Sequence, residues 1–402
     1  MRIPMKSIGS AVVIALLPFW CGAQKAEMRD GIRMVHNKGQ GIWEKSPKIS
    51  LEKVKEIGDI EAESEEVAFY MPLDMALDQA GNLHVLDTGN HRIQVFTPEG
   101  AFLRTVGRKG QGPGEFNFPG SLDIDAQGTL IVASPFIKKI QFLGADGIET
   151  DSVTITEDFS EYLRALDSGK LVSSVRRGFG LPEEGDEDKG LEPLMQIMDR
   201  KGKVIKKFGE PRDYKHDLVN STGNNVRFAV GRDGHIYVAF RFQNRLEKYT
   251  PEGEIVWRAE KELNFDADKP ISKGNIERSG RGGISIESPR MNECSEAIAV
   301  DDSGRIWVIS LDRQLKEEER AGTAVRMSRT ERGASISMSP HSDEEMPPAT
   351  DAYMLDVYDA EGVLLQQFSL DHYADLIKVR GDRLYILDTV RRMQVHVYRV
   401  AG

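Results

Sequence analysis

A histidine followed by an arginine, His91-Arg92, stands between two apolar segments of the chain. An imidazole titrates near neutral pH, and a guanidinium offers a planar fork of donors matched to carboxylates and phosphates. Comparable positions further along hold Lys138-Lys139, Asn244-Arg245 and Arg391-Arg392. Lined up, Arg92, Lys139, Arg245 and Arg392 form a column of bases. One reading is a ring of cations around a central opening, suited to an acidic partner. The other is that each base pairs with a residue at the end of the neighbouring segment, as Asp87 would with Arg92 and Asp388 with Arg392. A repeated position usually serves the repeat, so the second reading is the stronger for the column as a whole. The candidate contact set is Asp87, Asn90, His91, Arg92, Lys139, Asn225, Arg241, Asn244, Arg245, Asp388, Arg391 and Arg392.

Other chemistries fit less well. Asp123-x-Asp125-x-x-Gly128 begins like a calcium loop, but its twelfth position is Ser134, where a bidentate Glu is needed. The same Asp-x-x-Gly occurs at Asp78–Gly81 and Asp301–Gly304, so a hairpin turn is expected. Gly107, Gly110, Gly112 and Gly114 suggest a phosphate cradle, yet no Lys-Ser, Lys-Thr or helix signal follows. There is no G-x-S-x-G elbow and no H-E-x-x-H pair. His84, His216, His235, His341, His372 and His396 share no register with one another. No catalytic residue, metal site or cofactor is expected.

The elements that must position these residues repeat. Gly81 to Gly100, Gly128 to Gly147 and Gly234 to Gly253 share one spacing, nineteen residues. Gly169 to Gly202 and Gly304 to Gly362 have the same turns pushed apart, and a sixth copy runs from Ala374 to the end. Between the turns lie short runs rich in β-branched and aromatic residues, such as Leu83–Leu86, Ile236–Phe240 and Ile306–Ile309. Each copy reads as a four-stranded antiparallel sheet. Six such sheets arranged radially make an all-β, six-bladed propeller. The last copy lacks an outer strand. Leu51–Ile57 is the natural donor, with Val54 and Ile57 facing inward, and this pairing closes the ring.

Strand order separates two faces. The Gly turns fall on one. The loops between second and third strands, and the crossovers between blades, fall on the other. Insertions at about 177–191 and 311–350 are of the latter kind, as are the long crossovers 209–225 and 261–296. Long connections on a rigid scaffold commonly carry function, so this decorated face is the expected working face. Residues 331–350, rich in Ser, Pro and acidic side chains, also read as unpacked decoration.

Residues 1–23 read as a secretory signal: Arg2 and Lys6, then an apolar run from Ile8 to Trp20 too short to span a bilayer. Cleavage after Ala23 competes with lipidation of Cys21. Residues 24–48 read as a linker and 49–402 as the propeller. The expected location is outside the cytoplasm: periplasmic, secreted or lipid-anchored in the envelope, with membrane contact only through the anchor. The formal charge of −11 disfavours nucleic acid as a partner. Cys294 is the only cysteine after Cys21, so the fold must stand without an internal disulfide if the leader is removed.

The segment Asp87-Thr-Gly-Asn-His-Arg-Ile-Gln-Val-Phe-Thr-Pro-Glu-Gly100, with Gly110-Gln-Gly-Pro-Gly-Glu-Phe-Asn-Phe-Pro119, resembles the NHL-repeat family. The segment 223–257 is similar to related six-bladed propellers of bacterial envelopes. Together the copies span about 50–402. The resemblance implies a six-bladed propeller, in agreement with the repeat count, and no single function. Amidating lyases related to the family hold a metal with histidines near the propeller axis. Here only the first copy has a histidine, His91, in that column. The expectation is an exported, non-enzymatic module that engages a protein, peptide or glycan partner through its decorated face. The alternative is a metal-dependent hydrolase or lyase acting at the axial opening.

Overall fold

The computed structural model describes residues 24–402 apart from 60, 61, 63, 156–161, 167, 168, 176–190, 279–283, 321, 331, 332 and 342–345. The expected signal segment, Cys21 and nearly all of the insertion at 177–191 therefore lie outside the described residues.

The structure is a six-bladed propeller of four-stranded antiparallel blades. Blade 1 is built from Pro72–Leu77, Leu83–Asp87, Arg92–Phe96 and Phe102–Val106. Blade 2 runs from Ser121–Ile124 to Glu149–Thr154, and blade 3 from Leu163–Ala165 to Val204–Phe208. Blade 4 runs from Val226–Val230 to Ile255–Lys261, and blade 5 from Ser295–Val300 to Leu364–Ser369. Blade 6 holds Leu376–Arg380, Arg383–Asp388, Gln394–Ala401 and, from the other end of the chain, Ser50–Ile57. First strands of successive blades touch one another around the axis, and that of blade 6 meets that of blade 1.

Burial follows the sequence pattern. The second strands Leu83–Asp87, Leu130–Ser134, Ile236–Phe240 and Ile306–Leu311 are buried along their whole length, because blades cover both faces. Outer strands such as Phe102–Val106 alternate. The evenly spaced turn glycines all have positive φ, the region that costs a Cβ-bearing residue most. The core lies between blades, with Trp257 and Trp307 fully enclosed.

Ring closure uses the expected strand, Ser50–Ile57 on Gln394–Ala401. Ile57 is buried, but Val54 is not inward as expected. A bulge between Lys53 and Lys55 turns it out to 38 % exposure.

Residues 24–48 are not a plain linker. Lys25–Arg29 and Ile32–Asn37 form a hairpin around Asp30-Gly31, both at positive φ as a tight two-residue turn requires. Ile32–Asn37 adds in parallel to Ile255–Lys261, so the blade 4 sheet has six strands. The chain then crosses the outside of blade 5. Asn37 bonds to Gly362 O and Leu364 N, and Ile42 and Trp43 donate to Leu364 O and Leu365 O. Gly41 is needed there: its φ is +100°, and a Cβ would lie 2.5 Å from Leu365 O. One N-terminal strap thus joins blades 4, 5 and 6. The insertion after Leu311 also holds structure, a hairpin of Gly322–Thr330 and Gly333–His341.

The axis is plugged part-way by a charged cluster. Arg164 of blade 3 donates to both oxygens of Asp74 of blade 1, at 2.8 and 3.0 Å, and to Ser121 Oγ of blade 2 at 3.1 Å. Asp123 accepts from Ala165 N at 2.7 Å. Lys378 of blade 6 faces the same cluster, and burial together with the Arg164 charge brings its pKa down to about 8. Four blades are tied together at one point.

Candidate functional site at the axial opening

Two cavities open on the axis. One, of about 640 Å³, lies on the face of the glycine turns, where Lys378, Arg164 and Asp123 line it. The other, of about 390 Å³, lies on the decorated face and is bounded by the entries to the first strands. Its walls come from distant parts of the chain. Leu73, Tyr162, Arg227, Glu296 and Asp375-Leu376 stand at the starts of first strands. Arg241 follows the second strand of blade 4. Glu293 closes the crossover into blade 5, and Leu315, Glu319, Arg320 and Met346 come from the insertion.

Arg241 is central. It reaches Glu296 at 2.9 Å and Glu293 at 3.3 Å, and its ring-side neighbour is Phe242. Two carboxyls this close to one another cannot both ionise freely. Burial, and then the neighbouring Glu293, raise Glu296 well above the usual carboxylate range against the pull of Arg241. Burial acts against Glu293 too, but Arg241 and the hydrogen bond from Glu296 take it below that range. The two carboxyls are thus driven apart in proton affinity beneath one guanidinium. Burial and the nearby Asp388 lift Asp375 to about 6, although Thr389 donates to its Oδ2 through N at 2.8 Å and through Oγ1 at 2.9 Å. Glu319 is held differently. Arg313 grips both its oxygens at 2.7 Å, which lowers it to about 2.

Of the twelve residues singled out by sequence, Arg241 alone lines this cavity. The others fix loops on the same face. Asp87, fully buried, accepts from Tyr70 N, Asn90 Nδ2 and Arg92 Nε at 2.7, 2.9 and 2.8 Å. Arg92 also donates to Glu65 O and Ala68 O. His91 sits at φ +57° and takes a hydrogen bond from Phe118 N on Nδ1 at 3.0 Å, with the Phe118 ring edge-on. That bond requires an unprotonated Nδ1, and burial, followed by Lys109, lowers the His91 pKa in accord. Lys139 faces Glu149 at 3.7 Å. Asn225 accepts from Arg227, and Asn244 bridges Lys261 and Asp268. Arg245 pairs with buried Glu247 and stacks on Phe240. Asp388 accepts from the backbone N of Val390, Arg391 and Arg392. Arg391 donates to Met346 O, and Arg392 reaches Asp59.

The column needs one correction. Asp87 pairs with Arg92 across the strands of blade 1, and its counterpart Asp388 pairs with Gln394. Blade 6 carries one extra residue in the loop, so Arg391 and Arg392 fall outside the column. The bases of blades 1, 2 and 4 remain in it.

The axial residues were missed because they share no motif. A signal existed in the repeat itself. Seven residues before the turn glycine stand Asp74, Ser121, Tyr162 and Arg227, all polar and all at the axis. In blade 5 that position is Ala297, and the axial Glu296 is the bulged residue just before it, as Leu73 is in blade 1.

A model of the DUF5128 family, described as a 6-bladed beta-propeller, matches residues 74–278, half of the chain. The chain belongs to this family. Solved structures resemble it as a whole. A DUF4221-family protein from Bacteroides vulgatus is 12 % identical with a TM-score of 0.57, the match covering 88 % of this chain and 99 % of that one. A Bacteroides fragilis protein predicted to be exported is 11 % identical with a TM-score of 0.50, covering 90 % and 99 %. Virginiamycin B lyase from Staphylococcus aureus is 12 % identical with a TM-score of 0.42, covering 88 % and 100 %. At such identities the first two establish the fold alone, and the third bears on neither fold nor activity. Among the described residues, no helix is long and apolar enough to cross a membrane.

Proposed function

We propose that the protein is an exported, NHL-like propeller that acts as a binding module and holds a protein, peptide or glycan partner at the axial opening of its decorated face. One observation supports this most: the cavity walls carry charges of both signs, and some of them make no ion pair among the described residues. Arg227 makes no ion pair among the described residues, and its Nε has no hydrogen-bond partner. Asp375 is half-buried, and among the described residues its carboxylate accepts only from Thr389. Buried charges are normally paired, so unpaired ones at a cavity mark a place for a ligand. The loops around the opening are pinned by the Asp87, Glu247 and Asp388 clusters, which give it a fixed shape. Export rests on the leader-like residues 1–23. The test is a crosslinking pull-down from native envelopes with the wild type and Arg227→Glu. Capture by the wild type and its loss in the variant supports the reading; equal capture by both contradicts it.

A hydrolase or lyase at the same opening is favoured by one feature, the Glu293–Glu296 pair, whose environments push two carboxyls apart in pKa as acid–base chemistry requires. Metal dependence has less behind it. Among the described residues no three His, Cys, Asp or Glu side chains are grouped to hold an ion, and His91 is engaged by Phe118. Stoichiometric zinc or calcium in protein purified without chelator, lost on His91→Ala, would favour the enzyme.

A further inference from the structure

We infer that the axial cavity of the decorated face takes a small zwitterion, a free α-amino acid or dipeptide, with its carboxylate on Arg227 and its ammonium on Asp375. The inference rests on the placement of function at this opening and names the ligand.

The cavity charges sort into satisfied and unsatisfied. Arg241 is matched by Glu293 and Glu296, and Glu319 by Arg313. Two remain. Arg227 donates to the side chain of Asn225 at 2.9 Å, lies over the Tyr162 ring at 4.7 Å, and keeps a buried Nε without a partner. Asp375 receives both of its side-chain bonds on Oδ2 and none on Oδ1. The two belong to blades 4 and 6, so they face the axis from different sides. A third group is unsatisfied: Tyr373 is 3 % exposed, and its hydroxyl has no partner. Leaving buried atoms such as Arg227 Nε and the Tyr373 hydroxyl unpaired is costly, and native structures do it seldom.

A ligand must answer a cation and an anion together. A neutral sugar supplies hydroxyls but leaves both charges uncompensated. A phosphate or dicarboxylate serves Arg227 but repels Asp375. A zwitterion pairs both, and charge-assisted hydrogen bonds are about twice as strong as neutral ones. The apolar part of the wall, including Leu73, Leu315 and Met346, suits an amino-acid side chain. A volume of about 390 Å³ is at the small-ligand end of the roughly 300–1,000 Å³ range for such sites.

The test is isothermal titration of the full chain with each of the twenty amino acids, with an equimolar dipeptide pool, and with the same pool N-acetylated, C-amidated or both. Uncapped ligand should bind, and either cap should weaken it about ten- to a hundredfold. Asp375→Asn should weaken uncapped ligand by a similar factor and leave the acetylated pool unchanged. Arg227→Gln should do the same with respect to the amidated pool, and Arg227→Lys should restore part of the loss. Binding by amino acids but not dipeptides, or the reverse, fixes which zwitterion is taken. No binding of either uncapped ligand, or binding no tighter than that of the doubly capped pool, overturns the assignment. If the wild type still captures a partner in an Arg227-dependent way, only the ligand class falls and the placement of function survives.

Discussion

Arg164→Ala should be one of the most damaging single changes in the chain. Asp74 has no exposed surface and takes two hydrogen bonds from this guanidinium, at 2.8 and 3.0 Å. After truncation its carboxylate keeps Met75 N at 2.9 Å, Ser121 Oγ at 3.1 Å, Leu122 N at 2.9 Å and the more distant charge of Lys378. Burial by itself would raise the Asp74 pKa; Arg164 is what carries it below the normal value. Removing one partner of a buried pair costs roughly 3–5 kcal/mol. Domain stability is only about 5–15 kcal/mol, so a third or more of it is at stake. The assay is urea unfolding followed by tryptophan fluorescence at pH 7.5, where the midpoint should fall and the slope should not. The double variant Asp74→Asn/Arg164→Met should recover much of the loss, because no isolated charge is left on that pair. The penalty in Arg164→Ala should also shrink as the pH is lowered and Asp74 takes up a proton. A loss below about 1 kcal/mol, or a double variant as unstable as the single one, would refute the reasoning.

The ring closure should be acid-sensitive. His372 and His396 stack at 3.7 Å in blade 6, and burial lowers both, His396 to about 2 with the neighbouring His372 adding to the effect. Their stabilising contribution is complete above pH 6.5 and is lost as the pH falls from there toward the folded values, at up to about 1.4 kcal/mol per pH unit for each ring. His396→Phe should flatten the dependence of the urea midpoint on pH between 6.5 and 5, and an unchanged slope would count against it. Ile57→Ala, at the buried end of the closing strand, should cost about 2–5 kcal/mol in the same unfolding assay. Gly41→Ala should cost about 1–3 kcal/mol and expose the N-terminal strap to limited proteolysis, since the backbone conformation and the contact with Leu365 O both oppose a Cβ.

The fold was legible because its signals are local and repeated. Each turn glycine announces a hairpin, and the wholly apolar second strands announce burial on both sides. The hairpin at Asp30-Gly31 was equally announced, by its turn dipeptide, but it stands outside the repeat and read as linker. Val54 and the Arg391-Arg392 alignment went astray for one reason: a single extra residue, a bulge in one case and a longer loop in the other, shifts side-chain direction or register without leaving a mark in composition. The axial site was the least legible. Glu293, Glu296, Asp375 and Glu319 come from two blades, a crossover and an insertion, and only closure of the ring brings them together. Arg241 was named for its face, while its partners carried no motif. What the sequence described well, the column around Arg92, proves to be the bracing of loops.

The most direct measurement places a photo-crosslinking amino acid at one of two exposed positions in the native host. Arg320 stands at the rim of the decorated opening, and Gln127 at the opening on the opposite face. The account predicts a discrete adduct from position 320, reduced when Arg227→Glu is added, and none from position 127. Adducts from 127 alone, or equal adducts from both, would contradict the claim that the decorated face is the working face.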